Sequence, residues 1–146
     1  MTTVAQVLQN KDNSVYTIAP NASVRSAIKL MAEKNIGALV VTNEDQKVVG
    51  IISERDYTHK IELQGRSSLT TNVDQIMTRN VITVTTGMEI NQCLKIMTDG
   101  HLRHLPVVEN ERLLAMVAIG DLVKAAMEDQ RILIEQLQHY IKKKKN

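Results

Sequence analysis

The stretch VYTIAPNASVRSAIKLMAEKNIGALVV, residues 15–41, recurs as VITVTTGMEINQCLKIMTDGHLRHLPV, residues 81–107. The two segments align without a gap at an offset of 66 residues, and positions that are apolar in one copy are mostly apolar in the other. VVGIISERDY (48–57) and LLAMVAIGDL (113–122) extend the match after a one-residue deletion. An internal repeat of this kind decides the fold, because the chain then consists of two copies of one supersecondary unit. The pairs Val15/Val81, Thr17/Thr83, Lys29/Lys95, Met31/Met97, Leu39/Leu105 and Val41/Val107 are identical.

Each copy predicts the element order β-α-β-β-α. A short extended piece (15–18; 81–84) precedes a helix whose apolar residues recur at i, i+3, i+4 and i+7, with Ser23 as the N-cap of the first. Two strands follow (38–41 and 48–52; 105–108 and 113–117), and a closing helix begins near Ser53 in one copy and near Gly120 in the other. Beyond the second copy, residues 123–141 predict a helix that packs on the body or on a second subunit. The helical apolar positions are Val24, Ala27, Ile28 and Met31, then Ile90, Cys93, Leu94 and Met97.

One copy alone, with two helices and three short strands, leaves an apolar sheet face uncovered. We therefore expect a mixed α/β (α+β) fold in which the two copies pack face to face about a pseudo-twofold axis, leaving two equivalent clefts. The expected boundaries are 1–63 for the first motif, 64–72 for a polar link, 73–127 for the second motif, and 128–146 for a C-terminal helix with a basic end.

Composition narrows the class of protein. The chain has 146 residues, 43% of them hydrophobic, with no Trp or Phe, so the core must be aliphatic. A single cysteine, Cys93, is typical of a reducing compartment, and no apolar run reaches the roughly 18 residues that cross a bilayer. We expect a cytoplasmic protein without a membrane partner. The net charge of +2 rests on Lys142, Lys143, Lys144 and Lys145, which favours a solvated tail over a nucleic-acid surface.

The segment GIISERD, residues 50–56, lies where a strand leads into a helix. Gly50 lets a backbone approach closely, Ser53 and the first helical N–H groups favour an anion, and Asp56 can accept the hydroxyls of a ribose diol. Arg55 adds a charged donor for phosphate. The same Ser-x-x-Asp spacing also describes a helix capping box, so the motif alone favours a structural role.

The doubled pattern, together with IMTRNVITV, IGALVV, LRHLPVV and GIISERDY, resembles tandem CBS domains, the Bateman module of stand-alone two-CBS proteins. The resemblance covers about residues 4–127 and implies AMP, ADP or ATP as ligand, with NAD and S-adenosylmethionine as further candidates. It implies a first site at Gly50, Ile51, Ser53, Arg55, Asp56, Met77, Asn80, Ile82, Leu102, Arg103 and His104. It implies a second site at Tyr16, Ile36, Gly37, Ala38, Met116 and Asp121.

The second copy departs from the family pattern, because Ala115 replaces the glycine and Ala118 replaces the hydroxyl residue. We expect one good site and one weak, altered or vacant site. The resulting prediction is a homodimeric adenine-nucleotide sensor that acts in trans on an unknown effector protein. A ligand-free dimerisation or interaction scaffold and a nucleic-acid binder using Lys142–Lys145 remain alternatives. We expect no catalytic residue and no metal site, because His101 and His104, three residues apart near a helix end, lack the carboxylate or cysteine companions that would complete a metal site. No His or Asp is placed in the sequence to activate Cys93.

Overall fold

The computed structural model of the chain describes residues 1–10 and 15–145. Helices and strands alternate much as the repeat predicts, and the mixed α/β class is confirmed. A π-helical turn, Thr58–Glu62, continues α3, and a short 3-10 turn, Val73–Gln75, opens the second copy. In chain order the elements are α1 (Val4–Gln9), β1 (Thr17–Ile18), α2 (Val24–Lys34), β2 (Ala38–Thr42), β3 (Val48–Ser53), α3 (Glu54–Tyr57), α4 (Ile90–Gly100), β4 (His104–Glu109), β5 (Arg112–Ala118) and α5 (Ile119–Lys145).

The first copy forms a three-stranded sheet in the order β1-β2-β3. β1 runs parallel to β2, with Ile18 opposite Val41, and β2 runs antiparallel to β3, with Ala38 opposite Ser53. The run of buried residues along β2 reflects a strand covered on both faces. The predicted order of extended piece, helix and hairpin is therefore confirmed in this copy.

In the second copy the extended piece is shorter than predicted. β4 and β5 form a two-stranded sheet, and the expected strand at 81–84 is reduced to one parallel bridge between Val84 and Val107. Val84 N–H donates to the Pro106 carbonyl at 3.0 Å, but Pro106 has no N–H to return to the strand beside it. Pro106 stands where the first copy has Val40, so a single substitution removes one hydrogen bond from the ladder.

The helices α2 and α4 end in the same way but have different N-caps. Ser23 Oγ caps α2 by accepting from Ser26 N–H at 3.1 Å, which confirms the predicted N-cap. Asn35 and His101, 66 residues apart, end α2 and α4 in the left-handed conformation with φ of 54° and 53°. His101 therefore has a backbone role at the end of its helix. The predicted apolar faces are buried at Val24, Ala27 and Met31 and at Ile90, Cys93 and Met97.

Two compact units divide the chain, and they do not follow the repeat boundary. One unit holds residues 1–10, 84–107 and 115–145, and the other holds 15–83 and 108–114. The entrance segment of the first copy, at the start of the chain, thus belongs with helix α4 of the second copy. The entrance segment of the second copy, from residue 73, belongs with helix α2 of the first. We call this arrangement the exchange of entrance segments. The named boundaries at 63, 72 and 127 stay predictions.

Hydrogen bonds define the first half of this exchange. Val4 N–H donates to the Met88 carbonyl at 2.9 Å, and Ile90 N–H donates to the Thr2 carbonyl at 3.0 Å. Thr3 forms an antiparallel bridge with Glu89. The entrance of the first copy is therefore fixed to the N-terminus of α4, and Val4 is fully buried there.

The second half repeats the first at an offset of 69 residues rather than 66. Val73 N–H donates to the Ala22 carbonyl at 2.8 Å, and Val24 N–H donates to the Thr71 carbonyl at 2.9 Å. These bonds tie the predicted link to the N-terminus of α2. The core of this unit joins residues of both copies: Val24, Ala27, Met31, Leu39, Val41, Ile52 and Ile61 from the first, and Val73, Ile76 and Met77 from the second.

The closing helix of the second copy is longer than predicted. α5 is one continuous helix of 27 residues, about 40 Å long, and includes the lysines that the sequence assigned to a solvated tail. Leu122 is buried, and Thr2 Oγ1 donates to Asp129 Oδ1 at 2.5 Å. Every residue from 130 to 145 is exposed, so this part does not pack on the described body as one reading had it.

The exchange predicts that a cut in the link will not separate the chain into its copies. We expect a protein carrying a protease site inserted between Gln64 and Gly65, in an exposed turn, to remain one particle after cleavage. Each fragment supplies part of both units, so separation requires opening two cores. Sedimentation of the cut protein measures this directly. Two separate folded fragments sedimenting independently without denaturant would contradict the exchanged arrangement.

Candidate functional site

The predicted motif lies at the junction between β3 and α3, where Gly50 is packed against the second copy's entrance. A side chain at Gly50 would lie 2.9 Å from Met77 Cγ and 3.1 Å from the Thr78 carbonyl oxygen. Ile51 and Thr78 exchange both backbone hydrogen bonds, at 3.0 and 2.8 Å. The close backbone approach predicted for Gly50 is therefore made by residues 77–78 of the chain itself.

Ser53 and Asp56 form a reciprocal capping box. Ser53 N–H and Ser53 Oγ donate to Asp56 Oδ2 at 3.0 and 3.1 Å, and Ser53 Oγ accepts from Asp56 N–H at 3.2 Å. The structural reading of this motif is thus confirmed. The Asp56 side chain retains only 12% exposure, so its carboxylate is held at a partly buried, fixed position.

Lys60 also belongs to this group of side chains, although it was not among the predicted site residues. Lys60 Nζ lies 3.0 Å from Asp56 Oδ1 and donates to the Ile76 carbonyl at 2.8 Å. The signal in the sequence was the Asp-to-Lys spacing of four residues, typical of a helical ion pair. The π-helical turn that holds Lys60 widens the helix here, a local form often found at functional sites.

The backbone at the start of α3 already has protein partners. Glu54 N–H donates to the Gly37 carbonyl at 3.0 Å, and Asp56 N–H is bound by Ser53. Two of the first-turn donors predicted to attract an anion are therefore in use. Arg55, the predicted phosphate donor, is exposed. Side chains, rather than the N-terminus of this four-residue helix, must therefore supply most of the positive charge for an anion bound here.

The second copy keeps the backbone hydrogen bonds of the junction, but alanines replace two of its polar side chains. Ala118 N–H donates to Asp121 Oδ2 at 2.9 Å, half of the capping box seen in the first copy. Ile119 N–H donates to the Arg103 carbonyl at 2.9 Å, as Glu54 does to Gly37. Ala125 stands where the first copy has Lys60. Only the aspartate of the Ser-Asp-Lys group is retained.

The predicted site residues are divided between the two units. In the unit that holds residues 15–83 and 108–114, Met77 is buried beside Gly50, whereas Asn80 is exposed and Ile82 is half-exposed. Tyr16 and Ile36 pack on that unit's core. The first unit holds Leu102, Arg103, His104, Met116 and Asp121, and the other holds Tyr16, Ile36, Gly37, Ala38, Gly50, Ile51, Ser53, Arg55, Asp56, Met77, Asn80 and Ile82.

Two residues that were assigned to different sites are neighbours in the structure. Ala38, assigned to the second site, pairs with Ser53 of the first site across β2 and β3. Gly37 lies beside Glu54 through their hydrogen bond. A ligand at Ser53 and Asp56 would therefore lie close to residues 37 and 38 as well. The division of residues between two sites stays a prediction.

Comparison with known proteins follows the repeat. The CBS-domain family model matches residues 4–62 and 73–128, most of the chain and twice over. The chain belongs to the CBS-domain family. A CBS domain-containing protein of Arabidopsis thaliana, CBSX3, named as mitochondrial, is 40% identical over 148 residues, covering 96% of this chain and 72% of that protein.

Solved CBS-domain structures share the fold. A putative signal-transduction protein with CBS domains from Burkholderia ambifaria MC40-6 is 45% identical, with a TM-score of 0.82 over 88% of this chain and 96% of that one. The CBS domain pair of protein MJ0100 is 27% identical, with a TM-score of 0.77 over 88% of this chain and 98% of that one. That structure contains 5′-methylthioadenosine and S-adenosyl-L-methionine.

Other candidate chemistry finds little support in the described residues. Within residues 1–10 and 15–145, no group of three or more His, Cys, Asp or Glu side chains could hold a metal ion. No described helix is long and apolar enough to cross a membrane. Cys93 is buried in the unit that holds α4, and burial raises the pKa of its thiol, which disfavours the reactive thiolate.

Gly50 offers a direct test of the junction. We expect Gly50→Ala to lower the free energy of unfolding by about 1–3 kcal/mol, because its methyl group overlaps Met77 and Thr78. Chemical unfolding measures the loss, and Gly37→Ala, with open space around the new methyl group, is the matched control. Adding Met77→Ala to Gly50→Ala should cost less than Met77→Ala alone. Equal stability of the two glycine variants would show that the segment does not lie against β3.

Proposed function

We propose that the chain is a regulatory module that binds an adenosyl ligand, most favourably an adenine nucleotide, and passes its occupancy to a separate protein. The observation that carries the proposal is the Ser53, Asp56 and Lys60 group, whose side chains contact one another within the first CBS-domain match, residues 4–62. Support for the ligand class comes from the MJ0100 pair, a structural relative whose crystal structure contains two adenosyl compounds.

Asp56 retains acceptor capacity for a ribose. An ionised carboxylate offers about four acceptor positions, and the described contacts from Ser53 N–H, Ser53 Oγ and Lys60 occupy three. A ribose diol brings two donors, so it needs the remaining position and the one held by the Ser53 hydroxyl. Rotation of that hydroxyl frees the position and leaves its proton available to a phosphate oxygen. Ribose and phosphate recognition are thereby linked through one side chain.

Lys60 favours a ligand that carries negative charge. An ammonium group has three donors, and the contacts with Asp56 and Ile76 occupy two. The third donor and the positive charge lie beside the position proposed for the ribose, at a side chain that is partly exposed. A phosphate attached to that ribose gains a charge-assisted hydrogen bond that neutral adenosine lacks. This argument supports AMP, ADP or ATP over an uncharged adenosyl compound.

The second copy supports a weaker or different ligand. Ala118 supplies no hydroxyl and Ala125 supplies no cation, so the local groups that favour a phosphate in the first copy are missing. Each lost charge-assisted hydrogen bond costs about 1.5–3 kcal/mol, or about 10–150-fold in affinity. We propose that Asp121 belongs to a low-affinity site or to one for a neutral adenosyl ligand.

We further propose a regulatory role without catalysis, and action on an effector protein in trans. The relatives are named for CBS domains or for signal transduction rather than for a reaction. The compartment stays a prediction of the sequence, since the Arabidopsis relative is named as mitochondrial.

Ligand-dependent stability tests the proposal. We expect one or more of AMP, ADP, ATP, NAD, S-adenosylmethionine and 5′-methylthioadenosine, at about 100 times its dissociation constant, to add about 2.7 kcal/mol to the free energy of unfolding. Thermal unfolding of the full chain measures it as a rise of about 5–10 °C. Asp56→Ala should remove the effect of the tightest ligand, because the ribose loses its acceptor.

Asp121→Ala is the matched control for Asp56→Ala, since it removes the equivalent carboxylate from the second copy. A shift lost in Asp121→Ala but kept in Asp56→Ala would place the main site in the second copy. No shift with any of the six compounds would favour the ligand-free scaffold. A shift of the melting point by DNA or RNA, abolished by deleting residues 142–145 and weakened steeply by salt, would favour the nucleic-acid alternative.

Lys60 gives a second, independent prediction. We expect the wild-type chain to bind AMP about 10–150-fold more tightly than adenosine, and Lys60→Met to bring the two affinities close together. Isothermal titration with both ligands measures the difference. Lys47→Met removes a charge from the same unit at an ion pair with exposed Glu111 and should leave the ratio unchanged. An unchanged ratio in Lys60→Met would remove this side chain from phosphate recognition.

A further inference from the structure

The buried carbonyl of Ile76 is bonded by a charged side chain. Ile76 is 1% exposed, and of the described hydrogen bonds one reaches its carbonyl oxygen, donated by Lys60 Nζ at 2.8 Å. A buried carbonyl requires such a partner, because an unpaired one costs about as much free energy as a lost hydrogen bond. A neutral donor would meet that need without placing a charge at a partly buried position. The charge of Lys60 therefore indicates a role beyond holding this carbonyl.

This carbonyl lies between two anchors of the entrance segment of the second copy. At the first anchor, Val73 N–H donates to the Ala22 carbonyl at 2.8 Å, beside the N-terminus of α2. At the second anchor, Thr78 and Ile51 exchange both backbone hydrogen bonds, on the strand that leads to the proposed ligand site. The bond to Ile76 therefore strengthens the attachment of the segment next to that site.

Lys60 connects the segment to the acceptor that we propose for the ribose. Its Nζ also lies 3.0 Å from Asp56 Oδ1, and its side chain is 38% exposed. An ammonium group has three donors, so one donor remains for a ligand. Asp56, the Ile76 carbonyl and a phosphate can then be bonded at the same time, and none of the three has to displace another. All of these residues belong to the unit of residues 15–83 and 108–114.

The partial exposure of Lys60 leaves its side chain rotational freedom that a phosphate would remove. Lysine is among the side chains that lose the most rotamer freedom when they are ordered. When a phosphate on the third donor has ordered the ammonium group, the hydrogen bond to Ile76 forms at a lower entropic cost. Adenosine brings a ribose to Asp56 but no phosphate, so it leaves this freedom unchanged. A phosphate-bearing ligand and a neutral one should then differ in their effect on the segment.

We propose that Lys60 is a positioning residue that couples the phosphate of a bound nucleotide to the entrance segment of the second copy. Occupancy orders the ammonium group and tightens its hydrogen bond to the Ile76 carbonyl, so the segment opens less often. The proposal rests on the adenosyl site proposed above and gives that site a means of regulation.

The coupling acts in both directions. A protein that holds the entrance segment closed raises the affinity for the phosphate-bearing ligand by the same factor by which that ligand closes the segment. Thr78, Arg79 and Asn80 follow Ile76 closely and are exposed, so another protein can reach this part of the segment.

The entrance segment of the first copy offers an internal comparison. Val4 N–H donates to the Met88 carbonyl at 2.9 Å, which is equivalent to the bond from Val73. Ala125 stands where the first copy has Lys60, and alanine has no side-chain donor for a ligand. A phosphate should therefore have no such effect on the segment that contains Val4.

Hydrogen exchange of single amides in the full chain, followed by NMR, tests the coupling. AMP and adenosine are each added at about 10 times their own dissociation constant, measured first by titration, so that both stabilise the whole fold by the same factor. We expect the Thr78 amide to exchange at least about 5-fold more slowly with AMP than with adenosine, the lower end of allosteric coupling. The Val4 amide should exchange equally with both ligands.

Two variants show whether Lys60 carries the difference. Lys60→Met removes the ammonium group, so AMP and adenosine should then slow the Thr78 amide equally. Each variant is compared with itself, AMP against adenosine, so a lower stability of Lys60→Met cancels. Lys47→Met is the matched control, because it removes a lysine of the same unit at an ion pair with exposed Glu111, and it should keep the difference. If Lys60→Met does not fold, the wild-type comparison still decides the proposal.

Three results would overturn the proposal. Equal exchange of Thr78 with AMP and adenosine in the wild-type chain would give Lys60 a purely structural bond and leave the proposed ligand site intact. A difference that persists in Lys60→Met would place the coupling at another phosphate contact. No binding of AMP in the titration would overturn the proposed nucleotide site together with the coupling, so the two failures are distinguished.

Discussion

The exchange of entrance segments between the two copies is the constraint on which the rest of the structure depends. The apolar face of α2 is closed by Val73, Ile76 and Met77, which belong to the other copy in sequence. The bonds from Val4 to Met88 and from Val73 to Ala22 are equivalent, so the arrangement is reciprocal. A single copy would leave its helix uncovered, because its own entrance segment is committed elsewhere. Duplication is therefore a requirement of the core, beyond any doubling of binding capacity.

The candidate site is built on this exchange. Gly50 leaves room for Met77, Ile51 pairs with Thr78, and Lys60 reaches the Ile76 carbonyl, so the junction of the first copy rests on residues 76–78 of the second. The Ser53 to Asp56 capping box fixes the carboxylate, and Lys60 joins that carboxylate to the exchanged segment. Structural and functional readings of GIISERD are thus compatible, since the contacts that cap the helix also hold its acceptor in place.

Most of the fold could be predicted from the repeat, because the aliphatic pattern recurs at an offset of 66, or of 65 after the one-residue deletion, through both helices and both hairpins. The exchange could not, since the entrance segments match at an offset of 69 and fall out of the main alignment. Pro106 shortens the pairing between β4 and the extended piece at 81–84, because proline lacks a backbone N–H. Comparing apolar positions between the copies does not reveal this difference. Asp56 can be predicted as a candidate from its motif, whereas the position of Lys60 cannot, because a π-helical turn and a distant carbonyl define it. The pattern of α5 indicates a helix but not its length, since four consecutive lysines, although good helix formers, are equally typical of a solvated tail.

A regulatory module must bind its ligand differently in two arrangements of the chain, and the difference in affinity limits the size of any response. The contact of Lys60 with both Asp56 and Ile76 is where such a difference can arise. In the proposed complex, a phosphate bound by the third donor of Lys60 also reorients the ammonium group that holds the Ile76 carbonyl, and Ile76 lies in the exchanged segment that closes the core over α2. One net hydrogen bond to a charged group is worth about 1.5–3 kcal/mol. That range matches the coupling of about 1–3 kcal/mol typical of allosteric proteins, so in the proposed module this single contact is large enough to couple the ligand to the fold.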